Sequence, residues 1–257
     1  MDILIDIINQ HGYLILVFLF GIIAGIIDAF AAMGALLYVP VLIFIGLPPH
    51  AALACDRMGT IGWGVSMMFK HIKAGSIVWK WVPVFAGLSL IGGIIGANLT
   101  VNIDPVILKN LLAIIILIML PVMIFRAKLG VIDTSGIKTK KQILLGVFLF
   151  GIMQVYAGLI GAGTGPFILL ILTGLVGLTI LQVQGTTTPG WIVVSITSIV
   201  IFEMAGMIDW LAALTSLAGM TLGGYIGSSK AIAVGNQSLR KYIIGACAIS
   251  ALALFLK

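Results

Sequence analysis

The chain has 257 residues, of which 61% are hydrophobic and only 9% are charged, and its mean hydropathy is +1.26. Soluble domains carry roughly a quarter of their residues as charges, so this composition excludes a water-soluble fold and calls for a lipid setting. The net charge of +6 does not point to nucleic acid, because the basic residues fall in short clusters between apolar runs, where juxtamembrane loops meet anionic lipid.

Eight apolar segments, bounded by charges, prolines and polar clusters, follow in chain order. The first half gives 13–47, 51–69, 81–100 and 106–125; the second gives 142–181, 184–203, 210–229 and 241–256. The hexapeptide VFLFGI at 17–22 returns at 147–152, which marks the halves as an internal duplication. Residues 1–125 are therefore assigned to a first transmembrane repeat, 126–141 to a basic linker and 142–257 to a second repeat. The opening run of each half is too long for one span and is interrupted by glycine-rich sequence, at Ala31 to Ala35 and at Gly158 to Gly165, so each is expected to fold into two short helices. The first apolar run lacks a preceding basic flank and continues into further membrane sequence, so it does not read as a cleavable signal peptide.

Charge sets the orientation. The linker holds Arg126, Lys128, Lys138, Lys140 and Lys141 and should be cytoplasmic, as should the loop with Lys70, His71, Lys73 and Lys80. The corresponding loop of the second half has Glu203 and Asp209 and should lie outside, while Lys230, Arg240 and Lys241 return to the inside. These signs fit inverted repeats of five plus five segments with both termini outside, against which Lys109 is a mild violation. Eight crossings in parallel halves is the other count. The expected class is an all-α polytopic membrane protein, with about 8 to 10 transmembrane segments and a broken or re-entrant helix opening each repeat.

Ionisable groups at membrane depth are costly, at least ~2.5 kcal/mol each, so those that occur are candidates for function. Asp28 adjoins the first break, where its carboxylate could cap the following half-helix or titrate during transport. Asp56 and Arg57 lie about two turns into their segment; Arg57 is the candidate anion ligand and Asp56 its partner or a proton site, with a structural ion pair as the alternative. The motif Gly161-Ala162-Gly163-Thr164-Gly165-Pro166 reads as a turn followed by a new helix with Pro166 in its first position. The amides of Phe167 and Ile168 would then face the break and could hold an anion, unless the turn serves packing only. Gln182, Gln184, Gly185 and the run Thr186-Thr187-Thr188 precede Pro189, which leaves the carbonyl of Gly185 without a helical donor. Through the repeat these threonines correspond to Cys55-Asp56-Arg57 and are expected to face them, although threonines in membrane helices also bond back to their own backbone.

Cys55 and Cys247 have neither metal nor redox spacing, His11, His50 and His71 lie at segment ends, and the 11 methionines form no dense cluster. No catalytic residue, metal site or cofactor is expected. Tyr13, Trp79, Trp81 and Trp210 read as anchors at the membrane interface.

Three stretches carry a resemblance: GLPPHAALACDRMGTIG at 46–62 with the lysine loop and Trp79 after it, GAGTGPFILL at 161–170, and the threonine segment followed by Asp209-Trp210. Over essentially the whole chain they resemble the TauE/SafE group of sulfite exporters, also called the 4-toluene sulfonate uptake permease family. Where that group commonly has a run of glycines before Val-Pro, this chain has AAMGALLYVP, with Gly34 alone. The resemblance implies an inner-membrane carrier of small sulfur-containing anions such as sulfite, sulfonates, sulfoacetate or thiosulfate.

The residues themselves point to a secondary transporter working by alternating access, whose partners are a small anionic solute and the bilayer, not nucleic acid. Substrate-binding candidates are Arg57, Asp56, Gly161, Gly163, Thr164, Gly165, Phe167, Gln184, Thr186, Thr187 and Thr188; coupling candidates are Asp28 and Asp56. A passive anion channel is the rival, since the same groups can line a pore. An intramembrane enzyme is disfavoured by the lack of GxGD or HExxH motifs, and no P-loop is present for nucleotide hydrolysis. The sequence leaves open which anion moves, the direction, the coupling ion, and whether the chain forms a homo-oligomer.

Overall fold

The computed structural model describes residues 2–108, 110 and 132–255, with side chains described over 12–108, 110 and 132–239. The segment expected at 106–125 therefore lies almost wholly outside the described residues, as do Lys109, Arg126, Lys128 and the side chains of His11, Arg240, Lys241 and Cys247. The described chain is helical and contains no strand.

The opening run forms α1 (Asp2–Ala31) and α2 (Gly34–Phe44), which turns back along it: Gly34 lies against Ala24 and Asp28, and the Tyr38 hydroxyl donates to the Val17 carbonyl at 3.1 Å. One member of the pair is thus a full-length helix and only the second is short. The turn is made at Ala32, which takes a left-handed φ of 54°. α3 (Pro49–Lys73) and α4 (Val82–Val101) follow, each with proline in its first turn, where a missing N–H costs nothing.

The linker enters α5 (Lys140–Leu159) through a capping box in which Thr139 and Gln142 satisfy each other's backbone amides. A turn with left-handed Gly161 and Gly163 leads to α6 (Thr164–Ile171), which is extended by a π-helical turn, Leu172–Val176, and runs back along α5 until Val176 meets Gly146. α7 (Ile180–Met204) has its own capping box at Thr179 and Gln182. α8 (Trp210–Phe255) is interrupted at Gly235, whose φ of 72° is not helical.

Packing crosses between the halves. α1 runs parallel to α8, with Phe18 on Gly219, Ile22 on Gly223 and Ile26 on Gly227. In the same way α4 runs parallel to α5, with Phe85 on Phe150 (ring centroids 4.4 Å apart), Gly92 on Gln154 and Gly96 on Gly158. Lipid supplies no hydrophobic drive between helices, so close backbone approach at small residues does the work here. α3 and α7 form the central pair and run antiparallel, since Gly64 meets Ile192 while His71 meets Gly185.

Length and composition qualify four described helices to cross a membrane: Gly12–Ala31, Trp79–Val101, Lys140–Leu159 and Ile180–Met204, with two shorter apolar helices, Gly34–Phe44 and Thr164–Val176. Of the two other long helices, α3 and α8, α3 buries His50, Asp56, Arg57, Thr60, Ser66 and His71. Directions followed through the contacts place Lys70, Lys73, Lys80, Lys140 and Lys141 at one end of the bundle and Glu203 and Asp209 at the other. At the acidic end the Tyr13 hydroxyl donates to Asp209 at 3.3 Å; at the basic end the Gln182 amide donates to Asp133 at 2.9 Å.

Candidate functional site

The two turns meet inside the bundle: Gly165, at the start of α6, lies directly against Ala32, between α1 and α2. Beside them is a cavity of about 40 Å³ lined by Asp28, Ala32 and Ala35 from the first hairpin, Gly161, Gly163 and Gly165 from the second, Asp56, Arg57, Thr60 and Trp63 from α3, and Trp191 from α7.

Arg57 is 2% exposed and Asp56 1%. The guanidinium lies on Gly161, so close that a side chain there would occupy its place. Its Nε and Nη2 atoms make no hydrogen bond among the described residues, and neither does Oδ1 of Asp56. A guanidinium buried with two donors unmet is costly, and such a group in a cavity is arranged for an acceptor that comes from outside. Asp28 is better served: its Oδ1 accepts from the amide of Gly34 at 2.5 Å and so satisfies the start of α2 from the preceding helix. The second turn is braced by the Tyr156 hydroxyl, which donates to the Ala162 carbonyl at 2.6 Å, and by Thr164, whose hydroxyl donates to the Gly161 carbonyl at 2.7 Å.

Of the residues singled out in the sequence, Asp28, Asp56, Arg57, Gly161, Gly163 and Gly165 come together around this cavity. Thr164 supports the turn without lining the space. Phe167 does not line it, because α6 begins at Thr164 and Pro166 is its third residue; the amides without a helical acceptor belong to the turn glycines rather than to Phe167 and Ile168.

The threonine run is elsewhere. Thr186 Oγ1 accepts from the Val78 amide at 3.0 Å, while Thr187 and Thr188 donate to the carbonyls of Val183 and Gln184. Gln184 donates to the Ala29 carbonyl at 3.1 Å. The expectation that these residues face Arg57 fails on helix direction. In the antiparallel α3–α7 pair, Gly64 opposite Ile192 and His71 opposite Gly185 carry the run toward the Lys70 end of α3, and even Thr188, which reaches Gly64, is seven residues of helix, about 10 Å, from the level of Arg57. Positions that correspond in the repeats lie on either side of the crossing point, not across from one another.

Thr60, Trp63 and Trp191 line the cavity although residue type did not single them out. The available signal was position: both tryptophans fall in the middle of apolar segments, away from the interfaces where tryptophan ordinarily anchors. Ala32 left no signal, since alanine carries no mark of a left-handed backbone.

An all-helical bundle of apolar helices, packed through glycines around a buried charged cavity, defines a multi-pass membrane transporter. The chain belongs to the sulfite exporter TauE/SafE family, whose model matches residues 17–254. It is 25% identical to a "Probable membrane transporter protein" of Haemophilus influenzae over 95% of this chain and 92% of the relative. Identity is 28% to the "Probable membrane transporter protein YdhB" of Bacillus subtilis, over 84% of this chain and 87% of the relative. For the "Probable membrane transporter protein YfcA" of Escherichia coli K12 it is 23%, covering 88% and 84%. No solved structure matches the chain.

Proposed function

We propose that the protein is a secondary carrier of a small anion, a sulfur oxyanion by its family, which binds between the two hairpin turns and crosses by alternating access. The observation that carries this reading is the Arg57 guanidinium, buried in the wall of the cavity, held against Gly161 and left with two donors unmet among the described residues. Arg57 and the turn amides would hold the anion, with Asp28 or Asp56 as the coupling group. The architecture we propose is a pair of inverted repeats, 1–125 and 142–257, with five segments each. Three features support it: helices that correspond in the two halves run in opposite directions, the packing of α1 on α8 is mirrored by that of α5 on α4, and basic residues gather at one end of the bundle. By that charge bias the chain sits in the cell membrane with the 126–141 linker in the cytoplasm.

Proteoliposome uptake of sulfite, organic sulfonates, sulfate and carboxylates, compared between the parent and Arg57→Gln, tests the reading. Saturable exchange by the parent and its loss in a folded Arg57→Gln protein are the expected results. Unchanged affinity of the variant for every transported anion would remove Arg57 from the site, and ohmic conductance in place of saturable flux would make the protein a channel.

A further inference from the structure

The residues around the cavity hold two kinds of unmet hydrogen-bonding group, and a bare oxyanion answers only one of them. Arg57 offers donors at Nε and Nη2, whereas Asp56, a side chain 1% exposed, offers an acceptor at Oδ1, which has no partner among the described residues. Asp28 adds a second carboxylate to the same lining, so one guanidinium faces two acidic groups. A fully deprotonated anion placed there would satisfy the guanidinium and leave Asp56 unpaired against like charge, which is the more expensive arrangement in a water-poor space. The other ionisable groups nearby are already committed: the Tyr38 hydroxyl, from α2, donates to Val17, and the Tyr156 hydroxyl, from α5, donates to Ala162. Beside Asp56 on α3 stands Cys55, a buried thiol, and α7 presents only the indole of Trp191 to the cavity.

We propose that the ligand this site selects is a protonated oxyanion, one that accepts hydrogen bonds from Arg57 and donates its own hydroxyl proton to Asp56. Size agrees with the chemistry. A cavity of about 40 Å³ has room for about three waters, which suits an oxyanion of four or five heavy atoms. Hydrogen sulfite fits this description; sulfite dianion and methanesulfonate, which have no acidic proton to give, do not. The inference rests on the anion site proposed above and names the protonation state that site takes.

The test is calorimetric titration of the purified full-length protein with three probes: sulfite across a pH series from mildly acidic to mildly alkaline, methanesulfonate, and sulfate. A hydrogen bond between charged partners sets the scale. In the parent, affinity for total sulfite should fall about tenfold or more as the medium turns alkaline and the ligand loses its proton, and methanesulfonate should bind roughly 10- to 100-fold more weakly than hydrogen sulfite. Asp56→Asn, whose amide can itself donate, should bind methanesulfonate and sulfite alike and lose the pH dependence. Equal affinity of the parent for methanesulfonate and hydrogen sulfite, or affinity that rises with pH, would overturn the inference while leaving an anion site in place. Binding of none of the probes by the folded parent would instead overturn the proposed function. The comparison of ligands on the parent needs no variant, so a failure of Asp56→Asn to fold does not blunt it.

Discussion

Gly161→Ala separates the two demands made on the second turn. At φ 78° any residue with a Cβ is in the left-handed region, where about 1–2 kcal/mol is lost. The new methyl would also fall on the Arg57 guanidinium, which must then leave its place. Gly75→Ala is the matched control, with a φ of 64° and nothing within 4 Å of the point its methyl would occupy. Gly75→Ala should therefore cost a few degrees in melting temperature for a chain of this length, and Gly161→Ala at least as much. Only Gly161→Ala should weaken anion binding. If displacement costs the ligand its charge-assisted hydrogen bonds to Arg57, worth about 1.5–3 kcal/mol, affinity falls by roughly 10- to 150-fold. Thermal unfolding in detergent with anion titration by calorimetry reads both quantities. Parent-like affinity in Gly161→Ala, with its melting temperature lowered as in Gly75→Ala, would refute the claim that this glycine holds the guanidinium in position.

Other outcomes follow from the same geometry. Asp28→Asn keeps an oxygen for the Gly34 amide and should fold normally while losing proton-dependent flux, whereas Asp28→Ala also removes that acceptor and should cost about 0.5–2 kcal/mol, seen as a lower melting temperature than that of Asp28→Asn. Gly96→Leu drives a side chain into the backbone of Gly158 and Leu159 and should abolish the monodisperse peak in size-exclusion chromatography, while Gly87→Leu, with open space around it, should not. The Asp133 carboxyl is held below its ordinary range, first by the Ser135 amide and then by the Gln182 side chain. Its contribution is thus complete above the unfolded carboxylate range and is lost as pH falls through the depressed folded value; hydrogen-exchange protection at 133–137, taken relative to the intrinsic rate at each pH, should fall in acid, and Asp133→Asn should remove most of that fall. Single cysteines at Lys73 and Asp209, in a background lacking Cys55 and Cys247, should be labelled from opposite membrane faces; labelling of both from one face would sink the inverted arrangement.

Much of the site was legible because its chemistry is rare in lipid. Asp28, Asp56 and Arg57 stand out against apolar surroundings, and three glycines around Ala162 announce a turn, so the cavity's polar half was named from residue type alone. The threonine run misled for a geometric reason. A repeat tells which positions correspond, but not whether corresponding helices run the same way, and antiparallel pairing carried Thr186 to Thr188 toward the basic end. The first hairpin turn was located but not its residue. The break was placed only as Ala31 to Ala35; within it Ala32 adopts the left-handed conformation, and Gly34 is needed where α2 approaches Ala24 and Asp28. Tertiary contact, not local propensity, decides both.

The exchange of partners between halves, α1 seated on α8 and α4 on α5, bears on how the molecule is made. On the ribosome α1 emerges long before the strip of Gly219, Gly223 and Gly227 that will receive it. Until then its small residues and Asp28 must wait in the bilayer or the insertion machinery with provisional neighbours. Neither half expressed alone should assemble, whereas the two halves produced together as separate chains should reconstitute the fold.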